Sequence, residues 1–377
     1  MDIMTASAAT TPPRYASQPD IQSWLDSVCS ANGLDAALTG LFDWELKAGY
    51  FPQGIFDRNL LFEYPDTESP VTFRAQINHT RLGYKAPAEP DGVLADRLMA
   101  YSLTGKTACS CPLCAEHIGS PAKPFLRAYT FSLGAQDTPY FIQLTPFPLR
   151  RFHHILIQTE HAPMRSGGRC VDELLDFVTR APRFTACSNS DVRDAGVSIL
   201  GHHHYQVFRD FHLPVFDAAP SQHLAHEMSG GRIELLDYPL TTLRVRGTRS
   251  FVSDAGNKVI ARWKTLSPGR NACNLTVRVI GDEHESHIFF RNPACLTPPD
   301  LLRIKSEAVG IVEAAGEGIY PPPPEHDKER FLEEIQINGL AILKRILSGL
   351  NPVPPSLRPE FFHDLRAVLN DAHRSAE

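Results

Sequence analysis

Between Pro139 and Thr159 the chain reads PYFIQLTPFPLRRFHHILIQT, two apolar runs of strand length split by a turn that carries two prolines. A proline has no N–H to give to a central ladder, so the break belongs to the turn and the runs to an antiparallel hairpin. The helical spacing of VDELLDFVTR follows, then the strand-like HYQVF. The same grammar returns after residue 230 in IELLDYPLTTLRVRG, VIARWKT, NLTVRVI and HIFFRN, all read as strands. LLRIKSEAVGIVEAAG and the amphipathic DKERFLEEIQINGLAILKRILSGL read as helices, with PPPP at 321–324 as a rigid connector. Strands with a helix, then strands and helices again, predict an α+β protein of two related halves. Antiparallel sheets flanked by helices are expected rather than alternating βαβ units.

Before the first hairpin, helices are expected over about Ile21–Cys29, capped by Asp20, and around Leu34–Gly49; VTFRAQIN suits a half-buried strand. The division expected is a flexible leader over 1–20, one half over 21–220 and a second over 221–377. The leader is rich in Ala, Thr, Ser and Pro and lacks the basic and apolar regions of a secretory signal. A net charge of −6 gives no footprint for nucleic acid or for an acidic membrane, and no run reaches the ~18 apolar residues of a bilayer span. The eight cysteines are scattered except for one tight group, which argues for a reducing compartment and makes cytoplasm the expected location.

That tight group is CSCPLCAEH, with Cys111 and Cys114 at the spacing that lets two thiolates share one tetrahedral zinc. Two ligands do not close a site, so the motif alone leaves zinc and a pair of buried cysteines equally open, with Cys109 as a further thiol. In FHHILIQTEH, His153, His154 and His161 read individually as polar punctuation at strand ends. In SILGHHHYQVF the residues His202, His204 and Gln206 alternate, so a strand places them on one face and turns His203 and Tyr205 away. His203 is therefore expected to be replaceable. A neutral imidazole is nucleophilic near pH 7, and an amide binds a phosphoryl oxygen without supplying a proton that would favour hydrolysis. A purely histidine metal site is less apt, because glutamine is a poor zinc ligand.

These residues resemble the histidine triad superfamily, and within it the galactose-1-phosphate uridylyltransferases of class II, through the H-x-H-x-Q pattern at His202–Gln206. The likeness extends upstream through Asn189, Ser190, Asp191, Gly196 and Ser198. It continues in DYPLTTLRVRG, where Tyr238 replaces a tryptophan and Arg244 is retained. RIKSEAVGIVEAAGEGIYP keeps Lys305, Glu307, Gly310, Glu313 and Gly316. The resemblance implies two histidine-triad-like halves and a nucleotidyl transfer in which His204 attacks the α-phosphorus of a nucleotide sugar. The nucleotidyl group then passes to a sugar 1-phosphate. It implies that Gln206 holds phosphoryl oxygens, that Asn189, Asp191 and Ser198 line the substrate site, and that Asn78 and Arg81 of QINHTRLG meet the nucleotide. It also implies a structural zinc on Cys111, Cys114, His161 and His202, with His154 as the alternative to His161. A related phosphorylase using inorganic phosphate, and a non-enzymatic zinc-stabilised nucleotide-binding protein, are the rival functions. Members are often dimers, and a homodimer is the assembly to test.

Overall fold

The computed structural model describes residues 11–51, 54–79, 111–121, 123–305 and 308–374. Two helices open it, α1 (Gln18–Asn32) and α2 (Leu34–Ala48), followed by the hairpin strands β1 (Leu60–Pro65) and β2 (Thr72–Ile77). α1 starts earlier than the sequence suggests. Its cap is Ser17 rather than Asp20, and the two side chains form a capping box. Residues 11–17 also pack: Ala16 is buried and the Pro12 carbonyl accepts from the Trp44 indole.

The body of the protein comes next. Its first half contains β3 (Tyr129–Leu133), β4 (Thr138–Leu144), β5 (His153–Gln158), α3 (Arg169–Arg180), β6 (Phe184–Ser188) and β7 (His204–Arg209). Its second half repeats that order with β8 (Pro220–Met228), β9 (Gly231–Leu236), β10 (Thr242–Gly247), α4 (Arg249–Leu266), β11 (Ala272–Ile280) and β12 (Glu283–Arg291). Together they make one ten-stranded sheet in the order β3-β4-β5-β7-β6-β11-β12-β10-β9-β8. All its pairings are antiparallel, and each half is wound identically around a seam where Leu275, Thr276 and Val277 pair with Ser188, Cys187 and Ala186.

One face of this sheet is covered by helices. Tyr205, Val207, Ile288 and Phe290 meet buried side chains of α1, α2, α3 and α4 there, joined by α7 (Arg358–Arg374). VIARWKT belongs to this layer, not to the sheet. It lies in α4, capped by Thr248, and buries Val252, Ala255, Val259, Ile260 and Trp263 at helical spacing. The β-branched Val-Ile pair had given that short window a strand-like look.

The opposite face carries Cys187, Phe208 and Phe289 and is partly covered by a small sheet, β1-β2-β13, whose third strand β13 (Glu317–Tyr320) runs parallel to β2. The single-turn α5 (Ile311–Ala314) and α6 (Lys328–Gly349) complete that layer. The expected helix over LLRIKSEAVGIVEAAG is thus largely absent: the described part is a turn of 3-10 helix at Pro299–Leu301, a loop, and α5. Gly310, which becomes the N-cap of α5, interrupts what apolar spacing alone suggests. The proline connector leads from β13 into α6.

Candidate active site and metal centre

β7 pairs with β5 and β6, which sets His204 opposite Ile157 and Gln206 opposite both Ile155 and Cys187. His204, Gln206 and Phe208 share the face away from the helices. His204 is 6% exposed, and its Nδ1 lies 2.8 Å from the His202 carbonyl oxygen. A carbonyl only accepts, so Nδ1 carries the hydrogen and Nε2 keeps its lone pair. Burial pushes the imidazole down to about 4, which keeps it neutral. These are the requirements of a nitrogen nucleophile.

His202 is fixed in the opposite sense. Its Nε2–H donates to the Gln158 carbonyl at 2.8 Å, leaving Nδ1 free to face Cys111 Sγ at 3.5 Å and Cys114 Sγ at 3.8 Å. His161 Nδ1 lies 3.2 Å from Cys114 Sγ, and the four donor atoms fall within 4.8 Å of one another. Zinc bonds of usual length place tetrahedral ligands about 3.4–3.8 Å apart, so this Cys2His2 set fits such an ion. The loop that bears the cysteines is anchored by His117, whose Nε2–H donates to the Cys111 carbonyl, and Leu113 packs with Ile157 and Phe141. His154 is not in the set. It is fully buried on the helix-covered face beside Phe184.

His203 does turn away from His204, and into a buried network. Glu173 of α3, 1% exposed, accepts from the hydroxyls of Tyr140 at 2.8 Å and Tyr205 at 2.6 Å and from Arg165 at 2.9 Å. The Arg165 backbone N–H donates to His203 Nδ1. Cys170, Glu173 and His203 lie close enough to suggest a second metal cluster, yet the Arg165 guanidinium already occupies the cation's role. No motif points to this network, because its members come from β4, β7, α3 and a loop.

Asn189 is buried near the end of β6, and its Oδ1 accepts from the Ile311 N–H at 3.0 Å, so its amide N–H groups are the end left for an anion. Asp191 accepts from Ser166 at 2.6 Å and pairs with Lys264 at 2.6 Å. A carboxylate so engaged anchors the loop between β6 and β7. Ser198 lies exposed in the loop before the histidines. Gly196 permits that loop: its φ is +94°, and a Cβ would sit 2.3 Å from the Val309 carbonyl oxygen. Asn78 closes β2, its N–H donating to Tyr320. Arg81, Cys109 and Glu307 lie outside the described residues.

The repeat shows what became of the matching place in the second half. His204 and Gln206 pair with the fifth and third residues of β5; the fifth and third residues of β10 are Arg246 and Arg244, which pair with Glu285 and His287. Glu285 is occupied by Arg278 at 2.7 Å, and that guanidinium lies 3.6 Å over Phe216. An ion pair stands where the first half has His204.

The doubled five-stranded α+β unit thus carries an H-x-H-x-Q strand and an adjoining Cys2His2 cluster. Among curated proteins the chain is similar to galactose-1-phosphate uridylyltransferases. It is 26% identical over 312 residues to the galactose-1-phosphate uridylyltransferase of Lactococcus lactis subsp. cremoris (strain SK11), covering 78% of this chain and 57% of that protein. It is 28% identical over 240 residues to that of Bacillus subtilis (strain 168), covering 56% and 46%. The chain thus spans about half the length of the curated relatives it matches. No family model matches it. Among solved structures it shares the fold of yeast Ap4A phosphorylase, with a TM-score of 0.50 and 14% identity over 84% of this chain and 93% of that one. No helix among the described residues is long and apolar enough to cross a membrane.

Proposed function

We propose that the chain is a nucleotidylyltransferase that works through a covalent nucleotidyl-histidine, with UDP-hexose as donor and a hexose 1-phosphate as acceptor. The observation that carries this is the His204 tautomer: Nδ1–H held by the His202 carbonyl, and Nε2 bare on the face it shares with Gln206. In the first step the Nε2 lone pair forms an N–P bond to the α-phosphorus. The bond from that phosphorus to the bridging oxygen breaks, and hexose 1-phosphate leaves with the electron pair. In the second, a phosphate oxygen of the incoming sugar 1-phosphate attacks the same phosphorus and the N–P electrons return to His204. No proton need be delivered to a phosphate leaving group, which suits an amide at position 206.

The nucleophile and metal centre belong to the 21–220 half, and we assign the acceptor pocket to the 221–377 half. Asn189 and Ser198 are the phosphate contacts this reading favours, with Asn78 and Arg81 toward the nucleotide. Zinc, held by Cys111, Cys114, His161 and His202, has all four positions filled by protein and so is structural. It anchors His202, the residue whose carbonyl aims His204. The scattered cysteines favour the reducing cytoplasm.

Intact-mass measurement after incubation with a panel of nucleotide sugars, without acceptor, tests the reading. One acid-labile nucleoside monophosphate adduct per chain, lost in His204→Ala, is expected. Absence of an adduct with every nucleotide sugar and dinucleotide tried refutes it. Discharge of the adduct by a sugar 1-phosphate supports the transferase, whereas discharge only by inorganic phosphate makes the protein a phosphorylase.

A further inference from the structure

We propose that His153 is a positioning residue that sets which end of the Gln206 amide faces the phosphoryl group, an inference that rests on the nucleotidyl-histidine reading above. Glutamine's two amide ends have nearly the same shape and opposite electronic character: NH2 donates to a phosphoryl oxygen, whereas Oε1 repels it. An amide on a strand face does not choose between them unless a neighbour forces the choice.

His153 has the place and the chemistry to force it. Through the β5–β7 register it pairs with Phe208, one step diagonal to Gln206 and on the same face as His204. The ring is 5% exposed and stacked on Phe208 with centroids 4.2 Å apart, which holds its plane. The Leu149 N–H donates to Nδ1 at 3.2 Å, so Nδ1 carries the lone pair and a neutral ring must carry its hydrogen on Nε2. That Nε2 is buried with no acceptor at hydrogen-bonding distance among the described residues. Burial keeps the ring neutral, and the Gln206 side chain lies close enough to act on it.

A buried N–H that can only donate pairs with the oxygen end of a neighbouring amide and not with its NH2. Closing Gln206 Oε1 onto His153 Nε2–H satisfies an orphaned donor and turns the amide NH2 away from His153, toward His204 and its phosphoryl group. The sequence offers His153 as punctuation at a strand start. The register makes it the partner of the catalytic amide.

The test compares His153→Phe, which keeps the stacked ring volume and removes both nitrogens, with His153→Gln, which returns an N–H donor. The readout is the rate of nucleotidyl-enzyme formation by intact mass across nucleotide-sugar concentrations. We expect His153→Phe to slow adduct formation about 10- to 100-fold at saturation, with the half-saturating concentration changed less than about threefold, and His153→Gln to recover part of the rate. His153→Phe in a Gln206→Leu background should slow the reaction no further. An unchanged rate in His153→Phe, or fold losses that multiply in the double variant, overturns the proposal. Should His153→Phe not fold, nitrogen-15 histidine spectra of the wild-type protein decide: hydrogen on Nε2 supports it and hydrogen on Nδ1 overturns it. A wild-type protein that forms no adduct refutes the nucleotidyl-histidine reading itself, and the tautomer measurement still judges His153 separately.

Discussion

Replacing Glu173 by glutamine keeps the side chain's shape and removes its charge, at the centre of the network behind the nucleophile strand. The carboxylate accepts from Tyr140, Tyr205 and Arg165, with both oxygens 2.9 Å from the guanidinium. Glutamine offers one acceptor oxygen, and its NH2 must face a donor. Hydrogen bonds to a charged group contribute roughly 1.5–3 kcal/mol each, and breaking a buried ion pair costs about 3–5 kcal/mol. Arg165 retains 25% of its side-chain exposure, so water takes up part of its lost pairing. Glu173→Gln should therefore destabilise the protein by about 2–4 kcal/mol, read as a lowered urea midpoint with unchanged slope, on metal-loaded protein at neutral pH. Adding Arg165→Met should cost much less than the sum of the single changes, since both act on one network. Because Arg165 lies in the same loop as His161, the variant should also release metal to a chelator faster. Loss below about 0.5 kcal/mol, or full additivity with Arg165→Met, would show that the network is not the support described.

Cys114→Ser should reduce bound zinc to well below one per chain, measured by elemental analysis, and lower the melting temperature, because ligand binding to the native state is folding free energy. Gly196→Ala meets both a positive φ and the Val309 carbonyl, and should lower stability by more than about 2 kcal/mol in urea unfolding. Burial pushes His154 down to about 3 in the folded protein, against about 6.5 when unfolded. The folded state resists the proton that the unfolded chain takes up, so this contribution is fully present above about pH 6.5 and is lost as pH falls toward 3. In His154→Phe the fall of unfolding free energy between pH 6 and 4 should be shallower by about 1.4 kcal/mol per unit, and parallel curves for parent and variant would refute this.

The sequence carried the site where it is local and lost it where it is assembled. His202, His204 and Gln206 announce themselves by alternation, and Cys111 with Cys114 by a ligand spacing, each legible within a few residues. His161 in place of His154 is settled only by the fold, since strand alternation puts His154 on the helix-covered face. Glu173 sits in an amphipathic helix among residues that look like its polar face, and nothing nearby in the chain shows that Tyr140 and Tyr205 will meet it. The two-halved α+β plan was readable from the order of elements. The helical state of VIARWKT was not, because Thr248 as cap and the buried Val252 and Ala255 of the first turns lie outside so short a window.

The seam between β6 and β11 joins within one chain what a two-fold pair of identical five-stranded units would build from two. In such a pair every substitution appears twice, so nothing can be gained at one centre without also being imposed on the other. Covalent linkage lifts that constraint. Position 204 can remain a histidine while its counterpart, position 285, becomes a carboxylate locked to Arg278. On the proposed mechanism the stoichiometry is one reactive histidine for every ten strands, and titration of the nucleotidyl adduct should saturate at one per chain.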